Sequence, residues 1–300
     1  MNASFGIDHP LLATHEIEGL RARLISLGFN MTAIGKHPWG TSTSLAMFDG
    51  CLVEIMGIYD DTLLDQVPAG DFRFGRHVHD HLKIREGVAL SALHSTGSHI
   101  DAEMAAAAGF TVAGHLEFGR DVTLPDGTTG RTKTTLALLP DTDYPRLSFF
   151  LCQQHRPELI YVPEWLKHPN SVFGICGVSV LAQAFDHAAL NTKLTGLYGA
   201  AKPIKGGFQV DTANGPIRVQ TAHAIEAEFG PLPFAQDTAG GPCIVAMDLK
   251  FRDAEAFETH AKNSDIALIR TQNGRTQNGW VTHAPKETAN TFLRFTQSEN

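Results

Sequence analysis

Apolar and polar positions along the chain fall into a pattern that recurs four times. The first copy opens with the extended run SFGIDHPLLA from Ser4 and passes into EIEGLRARLISLGF. There Leu20, Leu24 and Leu27 share one helical face while Arg21 and Arg23 point elsewhere, and Gly28 supplies the C-terminal stop of a helix. Three runs of strand composition follow, NMTAIGKHP, GTSTSLAMF and GCLVEIMGIY, so the order is β-α-β-β-β. A second copy starts at Val88 with VALSALHST, the helix HIDAEMAAAAGF and the strands FTVAGHLEFGRDVTL, TKTTLALLP and RLSFFLCQQH. Asp126-Gly127 marks a tight hairpin within it. The third copy reads SVFGICGVSVLA, AFDHAALNTKLTGLYG and GGFQVDTANGPIRVQTA, with Asn214-Gly215 at another turn. The fourth reads CIVAMDLKF, DAEAFETHAKNS, IALIRTQNG, GWVTHAP and NTFLRFTQ.

One βαβββ module is too small to bury its own sheet, so the four must pair. The pattern predicts an α+β protein whose modules pair into two curved, open-barrel-like mixed sheets around cavities. The boundary is expected near the segment 163–170, giving halves of residues 1–165 and 166–300.

Composition narrows the partners. A 43 % apolar and 19 % charged chain is ordinary for a globular protein. A formal charge of -8, with no basic stripe, repels a phosphate backbone and argues against nucleic acid. No apolar run reaches membrane-spanning length, so no membrane role is expected. Four scattered cysteines without a C-x-x-C pair, and an N-terminus lacking a basic and then apolar signal, fit a reduced cytoplasmic protein. There is no G-x-S-x-G, P-loop or dinucleotide fingerprint.

The motifs of the N-terminal half resemble a known family. An Asp-His on the first strand, a helix closing on Leu-Gly-Phe, the stretch HPWGT and Glu54 within CLVEIMGI recur in that order in glyoxalase-like domains of the vicinal-oxygen-chelate superfamily. RDVTLPDGTTG and CQQHRPELIY followed by PEW are similar to the second module of the same proteins, and GGFQVDTANGPIRVQTAHAIEAEFG to a later one. In metal-using members, side chains from the first and fourth strands of paired modules hold the ion. The resemblance therefore implicates His9 and Glu54, with His155 as third ligand and Glu54 as a potential base. Gln153 lies two residues from His155 and so on the same strand face; it serves as a further ligand or a substrate donor. The second module has Ala92 near the place of His9, with His94 two residues on. His37, Trp39 and Arg120 are the remaining candidates for contact with substrate.

A two-histidine-one-carboxylate set suits Fe, Mn, Zn or Ni and leaves positions open for a substrate with neighbouring oxygens. The first expectation is thus a metal-dependent lyase, isomerase or oxygenase acting on a small oxygenated organic molecule in the N-terminal cavity. The second is a metal-free binding protein of the same fold, like drug-resistance (bleomycin-resistance) members, using Phe72, Phe74, Phe149 and Trp165 as an aromatic lining. VFGICGVSV offers neither His nor carboxylate, unlike the C-terminal iron site of the superfamily's ring-cleaving dioxygenases. The second half is then expected to lack a metal. A third reading makes it a structural or dimerisation half that has lost any site, and a homodimer is implied by the resemblance alone. The alternating histidines of HVHDH look like a metal tract but fall between modules, where an exposed face or helix start is the simpler expectation.

Overall fold

The computed structural model describes residues 5–234, 241–271 and 279–298. The TQNG part of the fourth module lies largely outside them.

The first half begins with β1 (Ile7–Ala13) and α1 (Ile17–Ser26), which ends before Gly28 at a φ of 86°. Next come β2 (Gly35–Lys36), β3 (Thr41–Phe48), β4 (Cys51–Ile58) and α2 (Phe74–Ile84). The second module follows as β5 (Gly87–Ser95), α3 (Ser98–Ala107), β6 (Gly114–Phe118), β7 (Thr134–Leu139) and β8 (Phe149–Gln154). The eight strands form one mixed sheet in the order β2-β3-β4-β1-β5-β8-β7-β6. NMTAIGKHP contributes only β2 and an isolated bridge from Met31 to Ala46. Asp126-Gly127 caps a separate ribbon, Asp121–Thr123 with Thr129–Arg131, that extends from the sheet.

The second half repeats this plan with β9 (Val172–Leu181), α4 (His187–Tyr198), β10 (Lys202–Ile204), β11 (Gly207–Thr212), β12 (Gly215–Gln220) and α5 (Ala222–Phe229). It closes with β13 (Cys243–Phe251), α6 (Ala254–Asn263), β14 (Leu268–Arg270), β15 (Gly279–Thr282) and β16 (Phe292–Gln297). The order β10-β11-β12-β9-β13-β16-β15-β14 matches the first sheet strand for strand. Each half is thus an α+β unit with a curved mixed sheet, and in each a helix (α2 or α5) follows the fourth strand.

Strands β4 and β8 are buried on both faces, and alternate residues face different cores. Val53, Ile55 and Leu151 join a cluster containing residues of both halves. Met56, Phe150 and Cys152 join a second cluster inside the first sheet, closed by Phe74, Val78 and Leu82 of α2. HVHDH therefore lies inside α2, where His81 is buried and the His77 Nε2 bonds to the Ala89 carbonyl at 3.0 Å. Val78 and His81 pack inward while Asp80 stays exposed. Among the described residues no helix is long and apolar enough to cross a membrane.

Two details place β1. Its register against β5 shifts between Ile7 and His9 and again between Pro10 and Leu12, as expected where proline removes a ladder donor. The Asn214 side chain, from the tight turn joining β11 to β12, accepts from the Ile7 N–H and donates to the Ile7 carbonyl, both at 2.8 Å. The second half thereby pins the strand that carries His9.

Candidate functional site

A cavity of about 530 Å³ opens inside the first sheet. It lies within the range of small-molecule sites. His9 reaches it from β1 and Glu54 from β4, next to β1 in parallel register, with Leu11 opposite Glu54. His9 Nε2 lies 3.2 Å from Glu54 Oε2, and His9 Nδ1 lies 2.5 Å from Asp8 Oδ1. The second Glu54 oxygen accepts from Thr43 Oγ1 at 2.5 Å. All four side chains are buried. Burial alone would lower the His9 pKa, but the Asp8 charge and hydrogen bond and the Glu54 charge outweigh it and hold it above the ordinary 6.5. The result is an imidazolium with a carboxylate at each ring nitrogen.

A second group lies beside it. His37 stacks on Trp39 with ring centroids 4.7 Å apart, and its Nδ1 lies 2.9 Å from Thr41 Oγ1. Burial, then the Arg120 and His9 charges, push the His37 pKa well below 6.5, so the ring is neutral. Arg120 donates to His37 Nε2. Because a guanidinium only donates, Nε2 is the acceptor and the proton of His37 sits on Nδ1.

The remaining candidates are placed differently. On β8 the cavity receives Phe150, Cys152 and Gln154, not Gln153 and His155. The Gln153 side chain accepts from the Ser98 N–H and donates to the Thr96 carbonyl, both at 2.9 Å, and so braces the start of α3. His155 is exposed and bonds to Thr135 Oγ1 at 2.7 Å. His94 sits opposite Cys152 and outside the cavity lining. Of the four aromatics proposed as lining, Phe74 and Trp165 serve. Phe149 belongs to the core on the opposite face of β8, and Phe72 packs behind Phe74 with ring centroids 6.4 Å apart. The sequence reading passed over Asp8, Thr43, Cys152 and Gln154. The Asp-His dipeptide itself was visible, but the irregular register of β1 between Ile7 and His9, where the Asp8 side chain meets the His9 ring, was not.

The internal two-fold bears on the metal that the family resemblance implies. His9 faces Ala92 across β1 and β5. The pairs Ile7–Leu93 and Leu12–Val88 lie symmetrically about Pro10–Ser91, so the two-fold relates His9 to Leu90 and Leu11 to Ala92. Leu11 pairs with Glu54 and Ala92 with Phe150, which makes Phe150 the counterpart of Glu54. Neither Leu90 nor Phe150 has a donor atom, and burial pushes the nearby Cys152 thiol well above its ordinary pKa and keeps it protonated. Among the described residues no cluster of three or more His, Cys, Asp or Glu is disposed to hold a metal. The donor set, one imidazole and one carboxylate already engaged with each other, does not form a metal cage.

The comparisons agree with this architecture. A family model described as a glyoxalase-like domain matches residues 7–195. No curated protein matches the sequence. A hypothetical protein from Staphylococcus aureus superposes with a TM-score of 0.66 at 12 % identity, over 98 % of this chain and 99 % of that one. A mutant of 4-hydroxymandelate synthase from Streptomyces coelicolor superposes with a TM-score of 0.58 at 11 % identity, over 98 % of this chain and 92 % of that one. At such identities these likenesses speak for the fold alone. The family match spans well over half the chain, and with its paired βαβββ modules this protein belongs to the glyoxalase-like domain family of the vicinal-oxygen-chelate superfamily.

Proposed function

We propose that the N-terminal cavity binds a small oxygenated organic molecule and that Asp8, His9 and Glu54 move a proton on it, without a metal held by the protein. The observation that carries this reading is the 3.2 Å approach of His9 Nε2 to Glu54 Oε2 within an apolar cavity. The pair sets a proton acceptor, the Glu54 carboxyl group, beside a proton donor, the His9 imidazolium, within reach of one bound molecule. Glu54 takes a proton from carbon next to a carbonyl, breaking the C–H bond. His9 gives its Nε2 proton to the carbonyl oxygen, forming the O–H bond of an enediol. Asp8 holds the imidazole in place through Nδ1 and stabilises its charge. Glu54 then gives its proton to the former carbonyl carbon while His9 takes the proton of the other enediol hydroxyl, whose oxygen becomes the new carbonyl, and both groups are restored.

The test is solvent exchange. Short α-hydroxyaldehydes and α-keto acids are incubated with the protein in deuterated buffer, and the C–H signal beside the carbonyl is followed by proton NMR. Wild type is expected to exchange it, and Glu54→Gln to slow exchange by about 10²–10⁴-fold, the usual worth of a general base. Binding of these compounds without exchange would leave a sequestering protein instead. About one divalent metal per chain in elemental analysis, lost in His9→Ala, would overturn the metal-independent reading.

A further inference from the structure

Arg120 is a charge placed where the fold gains little from it. Its guanidinium lines the cavity and is partly buried, yet its partner is the neutral His37 ring and not a carboxylate. Burial pulls its pKa down from the ordinary arginine value, and only the Glu54 charge opposes this. Taking a cation out of water without a counter-charge costs free energy, which a purely structural arginine recovers through an ion pair. Among the described residues Arg120 forms none.

Two further observations converge on the same spot. Trp39 lines the cavity stacked on His37, and its Nε1–H is buried with no hydrogen-bond partner. A buried orphan donor is rare in a folded protein and marks a place where an acceptor is missing. Gly35 on β2 leaves room for the guanidinium, since a Cβ there would lie 2.7 Å from Arg120 Nη1. The sheet thus keeps a gap in which a cation lies beside an unpartnered indole N–H, at a cavity whose lining combines His9, Glu54 and Asp121 with apolar groups such as Met47, Met56, Leu136 and Phe150.

We infer that the ligand of this cavity is a carboxylate on an apolar, ring-sized body, its oxygens accepting from Arg120 and from the Trp39 indole. This deepens the function proposed above by naming the substrate class, and rests on its placing of the ligand in the N-terminal cavity. The carboxylate replaces the neutral imidazole as partner of Arg120 and supplies the missing counter-charge. Charge-assisted bonds of this kind exceed neutral ones.

Matched acid and amide pairs test it, namely 1-naphthoate against 1-naphthamide and mandelate against mandelamide, by calorimetry and thermal shift. Wild type is expected to bind each acid about ten- to a hundredfold more tightly than its amide. Arg120→Met should bring that ratio close to one while keeping amide binding, because no ion pair of the fold is lost. Gly35→Ala should reduce the ratio with little change in Tm, since the added methyl meets only the movable end of Arg120. Equal binding of acid and amide by wild type, or a preference retained in Arg120→Met, overturns the inference, as does binding of neither. Solvent exchange abolished by Glu54→Gln alongside equal acid and amide binding would remove the carboxylate anchor but keep the proton-transfer reading. Acid preference without exchange would do the reverse.

Discussion

Glu54 sits within CLVEIMGI, a strand buried along almost its whole length. An ionised carboxylate there is tolerable only because His9 and Thr43 meet both of its oxygens. The pairing has a definite pH signature. The pKa of His9 is raised in the folded state, so its protonation stabilises the fold fully below the unfolded value of 6.5. That contribution is lost as pH rises through the higher folded value. Glu54→Gln removes one of the charges that raise it. The variant is expected to be less stable than wild type by about 1–3 kcal/mol near pH 6. The gap should narrow as pH rises above 6.5 and through the raised folded value of His9. Urea midpoints across this range check it, and a gap independent of pH would show that Glu54 does not share the His9 proton.

At the scale of elements, β8 shows what a sequence yields and what it withholds. Its existence and its period of two were legible in LSFFLCQQH, which sets Gln153 and His155 on one face, although the strand itself ends at Gln154. Which face turns to the cavity was not legible, because FFLC is apolar on both faces and gives no parity. The pairing with β7, in which Gln153 faces Thr135, decides it. The polar HVHDH stretch reads as an exposed face or a helix start; it lies within α2, and His81 packs inward. That packing has a testable consequence. Burial first, then the His77, Arg85 and Arg146 charges, push the His81 pKa down to about 3. Below pH 6.5 the unfolded chain binds a proton that the folded ring refuses until about pH 3. Stability therefore falls on acidification, at about 1.4 kcal/mol per pH unit for this one group. His81→Leu keeps the apolar face of α2 and should flatten the acid limb of a stability profile between pH 6 and pH 4 by about that slope. An unchanged limb would mean that His81 is protonated in the folded protein.

At the scale of the whole molecule, the repeat of four modules was legible because each ends its helix and turns its hairpins with recognisable residues, as at Gly28 and Asn214-Gly215. The use made of the second cavity was not, because it depends on charges from three separate strands. That cavity, of about 850 Å³, is lined by Arg218 of β12, Asp248 of β13 and Arg294 of β16. Asp248 accepts from Arg218 Nη1 at 2.5 Å and from Arg294 Nε and Nη2 at 2.7 and 2.8 Å, while Arg294 also pairs with Glu228. Burial would raise the Asp248 pKa, but the two arginines overcome this and lower it. Where the first cavity leaves Arg120 open, the second closes its charges on one another. Asp248→Asn would leave two arginines facing each other with too little counter-charge, at a cost of about 3–5 kcal/mol. One core cluster runs through both sheets, with Phe29 and Phe295 in ring contact across the halves, and Asn214 holds the start of β1. The two halves therefore unfold together, and the loss at Asp248 should be felt at the distant N-terminal site. Hydrogen exchange followed by mass spectrometry checks this. The slowest amides of β1 and β4 are expected to lose as much protection in Asp248→Asn as those of β9 and β13. If β1 and β4 kept their protection while β9 and β13 lost theirs, the halves would be independent units, and the pin from Asn214 to Ile7 would not couple the second half to His9.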